Sequence, residues 1–181
     1  FFEKKENLIV YVGRLVEYKG LSILIDAVKD LQFFENIDCE LIVIGEGEDR
    51  KRLEETAREK NIKAKFMGKL PFDEKIRWIK RSKILVLPSK SRLEAFGIVL
   101  LEAMACQTPV IAYNMPGVKE IAELGGFTFK NKNEIAKKMK KILTNDKLLK
   151  KLGKRGRKKV ERRYEWSKIL NKIENLYFSL L

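Results

Sequence analysis

The sequence predicts an α/β fold, a Rossmann-like three-layer αβα sandwich around a mostly parallel, doubly wound sheet of six strands. Three observations carry this. Short β-branched or leucine-rich runs alternate with longer amphipathic stretches from Leu8 to Phe129, the pattern of repeated βα units. Parallel neighbours need long crossovers, and helix-length segments separate every pair of runs. A chain of 181 residues, 45% hydrophobic and 35% charged, suits one well-buried domain and argues against disorder or a coiled-coil rod.

Taken in order, the strands are Leu8 to Val12, Glu40 to Ile44, Ala64 to Met67, Ile84 to Leu87, Pro109 to Ala112 and Phe127 to Phe129. The helices between them are Leu21 to Leu31, Asp49 to Lys60, Asp73 to Arg81, Gly97 to Ala105 and Val118 to Glu123. In the first helix Leu21, Leu24, Ile25, Val28 and Leu31 fall on one stripe at helical spacing, which gives it a core face. Beyond Phe129 the helical period continues through Ile135, Met139, Ile142 and Leu143, then Leu148, Leu149 and Leu152, with Asn145-Asp146 as break and cap. The last segment, Trp166 to Leu181, carries Ile169, Leu170, Ile173, Leu176, Tyr177 and Leu180, more apolar surface than an edge helix shows to water. It requires a partner surface.

Composition excludes several classes. No apolar run approaches the roughly 20 residues of a membrane span. The opening Phe1-Phe2-Glu3-Lys4-Lys5-Glu6 lacks the order of a signal peptide and an initiator Met, and reads as a cut edge. With no His and two thiols, Cys39 and Cys106, side chains here assemble no Cys/His zinc site; reduced cysteines in a cytoplasmic protein are expected, and no cofactor. The net charge of +14 is local: Lys130 to Arg163 holds 16 Lys and Arg against 3 acidic residues. Such a stretch suits an anionic membrane surface or is a solvated pair of helices. Nucleic acid is not favoured, because only Phe129 at its border supplies an aromatic.

The chemistry-bearing residues gather after strands. Gly13-Arg14 follows the first strand and Lys19-Gly20 precedes the first helix, so both cations fall at the carboxyl edge of the sheet, where open α/β sheets bind ligands. A fixed guanidinium and ammonium suit the charge of a diphosphate leaving group. Glu94 lies in the loop after the fourth strand and Glu102 in the helix opened by Gly97, whose free N–H groups form an anion seat. The nearby carboxylates suit sugar and ribose hydroxyls. Gly45-Glu46-Gly47 hints at a dinucleotide fingerprint, but Arg50 replaces its third glycine, and a plain strand-to-helix turn is the reading.

Gly13-Arg14, Lys19-Gly20, Pro88-Ser89, the block from Glu94 to Ala105, Thr108-Pro109-Val110-Ile111, Gly117-Val118-Lys119-Glu120 and the tail Tyr164-Glu165-Trp166-Ser167 together resemble the C-terminal domain of the retaining, GT-B-fold glycosyltransferases of family 4. The likeness spans nearly the whole chain in order, and Glu94 and Glu102, eight apart after a Pro-Ser strand end, are its most specific mark. It implies a hexosyltransferase-type enzyme that moves a sugar from a nucleotide-sugar donor with retention, residues 1–163 binding donor and 164–181 packing toward an N-terminal acceptor domain. The resemblance implies Arg14, Lys19 and Glu94 as catalytic residues. It gives Gly13, Leu70, Ile98, Val99 and Glu102 to the nucleotide, with Leu70 meeting the base, and Glu94, Phe96 and Gly97 to the donor sugar. It implies no metal. Two positions depart from the pattern: Gln107 replaces a usual glycine, and Pro116-Gly117 stands where Gly-Gly is usual.

Two other classes fit parts of the chain. A nucleotide-sugar epimerase of related architecture would draw on acid/base side chains, often His, and the chain has none. A nucleic-acid or acidic-surface binding module would rest on Lys130 to Arg163 alone. The transferase reading requires Arg14, Lys19 and the helix mouth at Gly97 to meet on one side of the molecule.

Overall fold

The computed structural model describes residues 4–94 and 96–179. The edge expected at Phe1 and the apolar position Leu180 lie outside the described residues. Six strands form one sheet: β1 (Glu6–Val12), β2 (Glu40–Ile44), β3 (Ala64–Gly68), β4 (Ser82–Leu87), β5 (Val110–Tyr113) and β6 (Gly126–Phe129). Their order is β3-β2-β1-β4-β5-β6 and every pairing is parallel. The chain winds outward from β1 to β3, returns to place β4 on the other side of β1, and winds outward again. The sheet therefore switches direction between β1 and β4, and their carboxyl ends bound a crevice.

Helices α1 (Leu21–Lys29), α2 (Arg50–Glu59), α3 (Phe72–Arg81), α4 (Ile98–Ala105) and α5 (Val118–Gly125) make the five crossovers. A π-helical turn, Asp30–Phe34, extends α1 and keeps Leu31 buried. After β6 come α6 (Lys132–Leu143), α7 (Asp146–Arg163) and α8 (Trp166–Phe178). Asn131 and Asn145 cap α6 and α7, each accepting a backbone N–H through its side chain, so the break read at Asn145-Asp146 is a capped helix start.

Alternation along the strands divides the core in two. Ile9, Tyr11, Leu41, Val43, Ile84, Val86 and Ile111 pack with α1 and α6, while Val10, Ile42, Ile44, Leu85, Leu87, Val110 and Ala112 pack with α4 and α5. Both faces are covered, which is why these strands read as continuous apolar runs rather than alternating ones. Helix α8 stands apart from both layers: it buries no residue, and Trp166, Leu170, Ile173, Leu176 and Tyr177 are exposed.

Backbone bonds tie the loops at the carboxyl edge together. Gly13 N donates to Ile44 O (3.0 Å), Leu15 N to Glu46 O (2.9 Å) and Gly45 N to Gly68 O (2.8 Å). A Cβ on Gly45 would lie 1.9 Å from Gly13 O, and one on Gly47 would lie 2.2 Å from Leu15 O. The Gly45-Glu46-Gly47 segment is a strand-to-helix turn, as read from the sequence, with a packing duty the sequence does not display: its glycines let the β2 loop lie against the β1 loop.

Candidate functional site

The two sides of the crevice are locked to each other near Lys19. A 3-10 turn, Glu17–Lys19, ends at Gly20, whose left-handed backbone (φ 70°) no side chain adopts readily. A Cβ on Gly20 would stand 2.6 Å from Pro88 O, so this glycine allows the β1 loop to touch the end of β4. The buried Ser89 hydroxyl donates to Tyr18 O (3.3 Å) from the β4 side. This docking brings Lys19 Nζ to 2.5 Å from Glu94 Oε2, with both side chains about one-seventh exposed (15% and 14%).

Facing this pair is the start of α4. Gly97 adopts φ 71° as the cap residue, and Leu100 N donates back to Gly97 O (2.8 Å). The N–H groups of Ile98 and Val99 precede any intrahelical acceptor, and the helix dipole adds positive potential there. Lys19, Glu94, Phe96, Gly97, Ile98 and Val99, with Val12 and Leu87 from the ends of β1 and β4, line one cleft of 280 Å³. Six residues expected at the site thus share one cavity.

Arg14, expected at the site, is not among the residues that line the cleft. Its guanidinium bonds the Tyr18 hydroxyl and lies 5.7 Å from the centre of that ring, with Lys19 Nζ at 5.5 Å from the same centre. One aromatic ring therefore gathers both cations predicted from sequence. Below it the Tyr11 hydroxyl donates to Arg14 O (2.8 Å). Burial first, then the nearby Glu94 carboxylate, pushes the Tyr11 phenol well above its ordinary pKa, so it stays a donor and fixes the Gly13-Arg14 turn.

Glu102 belongs to α4 but not to the cleft lining. Its Oε1 accepts from Lys75 Nζ of α3 at 2.8 Å, the side chains being 22% and 19% exposed. Leu70, half-buried against the α3/α4 side of the core, lies between β3 and α3. The sequence assigned no site role to three residues that touch site residues: Tyr18, Lys75 and Tyr164. Tyr18 had a signal, an aromatic between two cations. Lys75 had none, because its partner is 27 residues away. Tyr164 packs its ring edge-on to Phe96, with centroids 6.0 Å apart at 71°, and so joins the end of α7 to the site.

A doubly wound parallel sheet with a cation, a carboxylate and a helix mouth converging at its switch point defines the class: a Rossmann-like α/β domain with a cleft at that point. The family follows from comparison. The model of the glycosyl transferases group 1 family matches residues 1–159, and the chain belongs to that family. An uncharacterized glycosyltransferase of Methanocaldococcus jannaschii is 33% identical over 96% of this chain and 48% of its own length. A phosphatidyl-myo-inositol mannosyltransferase of Propionibacterium freudenreichii is 34% identical over 94% and 43%. The chain spans about half the length of the curated relatives it matches. Among solved structures, sucrose-phosphate synthase from Thermosynechococcus elongatus is 29% identical with a TM-score of 0.83, over 96% of this chain and 45% of that one. The Anabaena protein HepE, in complex with UDP, has a TM-score of 0.86 at 22% identity, over 97% and 49%, and shows the fold alone.

Proposed function

We propose that this chain is the donor-binding half of a retaining, metal-independent family 4 glycosyltransferase that moves a hexosyl group from a nucleotide-sugar to an acceptor. The observation that carries the proposal is the single cleft holding Lys19, Glu94 and the Gly97-opened mouth of α4. An ammonium has three donors, so Lys19 can keep Glu94 and still hold a phosphate oxygen, while the N–H groups of Ile98 and Val99 hold another. Arg14 and Gly13 would close the seat. Together these groups supply the positive charge that a divalent ion supplies elsewhere, and they stabilise the leaving diphosphate as its bond to the sugar breaks. Glu94, fixed by Lys19, would accept hydroxyls of the donor sugar beside Phe96 and Gly97. In this mechanism the departing phosphate takes the acceptor proton on the same face, so no side-chain nucleophile is required.

Residues 1–163 would form the donor domain. The exposed apolar side of α8, in residues 164–181, would pack against the N-terminal acceptor domain, for which the unmatched half of the relatives' length leaves room. The donor half would bind its nucleotide alone and turn over only with that partner. On α7, Lys147, Lys151, Lys154, Lys158 and Arg162 recur at helical spacing and are exposed. We assign this face to the anionic cytoplasmic side of a membrane; among the described residues no helix is long and apolar enough to cross one.

Calorimetry tests the reading. Lys19→Ala should weaken binding of UDP, GDP or ADP far more than binding of the matching nucleoside; equal losses would remove the diphosphate assignment. Pelleting with anionic against neutral vesicles tests the α7 face, and indifference to lipid charge would dispose of it.

A further inference from the structure

We infer that Lys75 is a positioning residue that fixes Glu102 for a ribose hydroxyl pair, with Phe72 holding Lys75 in turn, so that these three residues form the nucleoside end of the donor site. The inference rests on the donor-binding reading above and adds residues which that reading does not use.

The geometry is a relay of two links. Lys75 Nζ lies 4.8 Å from the centre of the Phe72 ring, three residues earlier on the same helix, within cation–π range. The same ammonium donates to Glu102 Oε1 at 2.8 Å. Glu102 is thus held from α3, across the gap between two helices, rather than by a neighbour on α4. It lies four residues past Ile98, roughly 6 Å along the axis from the helix mouth. A diphosphate seated at Ile98 and Val99 with its ribose turned along α4 would bring that ribose to Glu102. Phe72 is 62% exposed despite its size, and it follows Leu70 by two residues.

Chemistry gives the relay a purpose. A carboxylate on a flexible stem loses rotamer freedom when it binds a diol, and that cost lowers affinity. Lys75 orders the group beforehand by engaging Oε1, and leaves the second oxygen to accept hydroxyls. Sugar hydroxyls donate to a carboxylate more strongly than to a neutral acceptor.

The test compares the ribo and 2′-deoxy forms of UDP, GDP and ADP by calorimetry, in the wild type and in Lys75→Met, Lys75→Arg and Phe72→Leu. The wild type should prefer the ribo form of its nucleotide by about tenfold or more, the scale of one hydrogen bond to a charged group. Lys75→Met should bring that ratio close to one by weakening the ribo form while leaving the 2′-deoxy form unchanged. Lys75→Arg should restore most of the preference, and Phe72→Leu should lower it by a smaller factor. Adding Glu102→Gln to Lys75→Met should cost little more, since the two act as one unit. A Lys75→Met variant that keeps the wild-type ratio overturns the inference, as does one that weakens both forms equally, the mark of a merely structural lysine. A wild type that binds diphosphates with no ribo preference also overturns it, leaving the phosphate seat standing; a wild type that binds none of the three diphosphates sinks the donor reading as well.

Discussion

Lys5 and Lys19 are both shielded cations in the same fold, and their surroundings are opposite. Lys5, 8% exposed at the amino edge of the sheet, is enclosed by oxygens: Lys80 O at 2.7 Å, Thr108 Oγ1 at 2.8 Å and Cys106 O at 3.4 Å. The Thr108 hydroxyl in turn donates a hydrogen bond to Ile79 O (2.8 Å). These three acceptors are uncharged, and through Lys5 they join α3, α4 and the start of β5. Lys19 at the carboxyl edge meets a carboxylate and an open cleft. The amino edge even has the larger hollow, 450 Å³ against 280 Å³. Within that hollow Lys83 is spent on Leu143 O and Asp146, binding α6 and α7 to β4. Volume does not distinguish the two edges; the carboxyl-edge cleft is set apart by a cation paired with a carboxylate beside a helix start.

The comparison breaks most visibly in activity. In the protein with its acceptor half, Lys19→Ala should lower kcat/KM by about 10²- to 10³-fold, the scale of one lost transition-state charge contact, with little change in melting temperature. Lys5→Met should leave nucleotide affinity untouched. A Lys5 variant that loses nucleotide affinity at unchanged stability would erase the distinction between the two edges.

Next in size are the glycines that fasten the carboxyl edge. Gly45→Ala places a Cβ 1.9 Å from Gly13 O at a φ of 141°, so the β1 loop must move. We expect a loss of about 2–4 kcal/mol in chemical denaturation, combining backbone strain with the displaced contact. Nucleotide affinity should fall with it, because Gly13 and Arg14 belong to the shifted loop. Lys5→Met should cost about 1–3 kcal/mol, the price of leaving buried carbonyl and hydroxyl oxygens without their donor. Thermal unfolding at constant nucleotide affinity is the outcome that keeps the two edges distinct.

How much of this was legible in the sequence follows from what each feature depends on. The strands, their covering helices and the direction of the sheet rest on local apolar runs and on the handedness of crossovers, and these are written in neighbouring residues. Lys19, Glu94 and Gly97 were legible as strand-end and helix-start residues, and their meeting in one cleft follows from the switch between β1 and β4. What the sequence could not show were contacts chosen by tertiary packing. Lys75 finds Glu102 only because α3 lies beside α4, and the glycines of the β2 loop matter only because Gly13 O and Leu15 O lie against them. The π turn after α1 was also hidden, since Leu31 keeps its helical register by spacing whether or not the hydrogen bonds widen.

The smallest predicted effect probes how tightly the amino edge is sealed. Cys39, 2% exposed just before β2, has its thiol pushed up to about 11 by burial, which outweighs its bond with Gln32. Cys106 is also raised by burial, but Lys80, Lys5 and Arg157 act against the shift, and the residue is half-buried. Cys106 should therefore react with iodoacetamide first, and Cys39 only on unfolding. The sign of the stability effect follows from proton counts. Between an unfolded thiol near 9 and a folded one near 11, the folded chain keeps a proton that the unfolded chain has released. The contribution of Cys39 is thus complete below pH 9 and disappears as pH rises through 11, with an upper bound of about 3 kcal/mol. Comparing wild type with Cys39→Ala across that window isolates it from other groups titrating there. Parallel stability curves for the two proteins, or prompt alkylation of Cys39 at pH 8, would show that the amino edge opens to water as readily as the edge that bears the cleft.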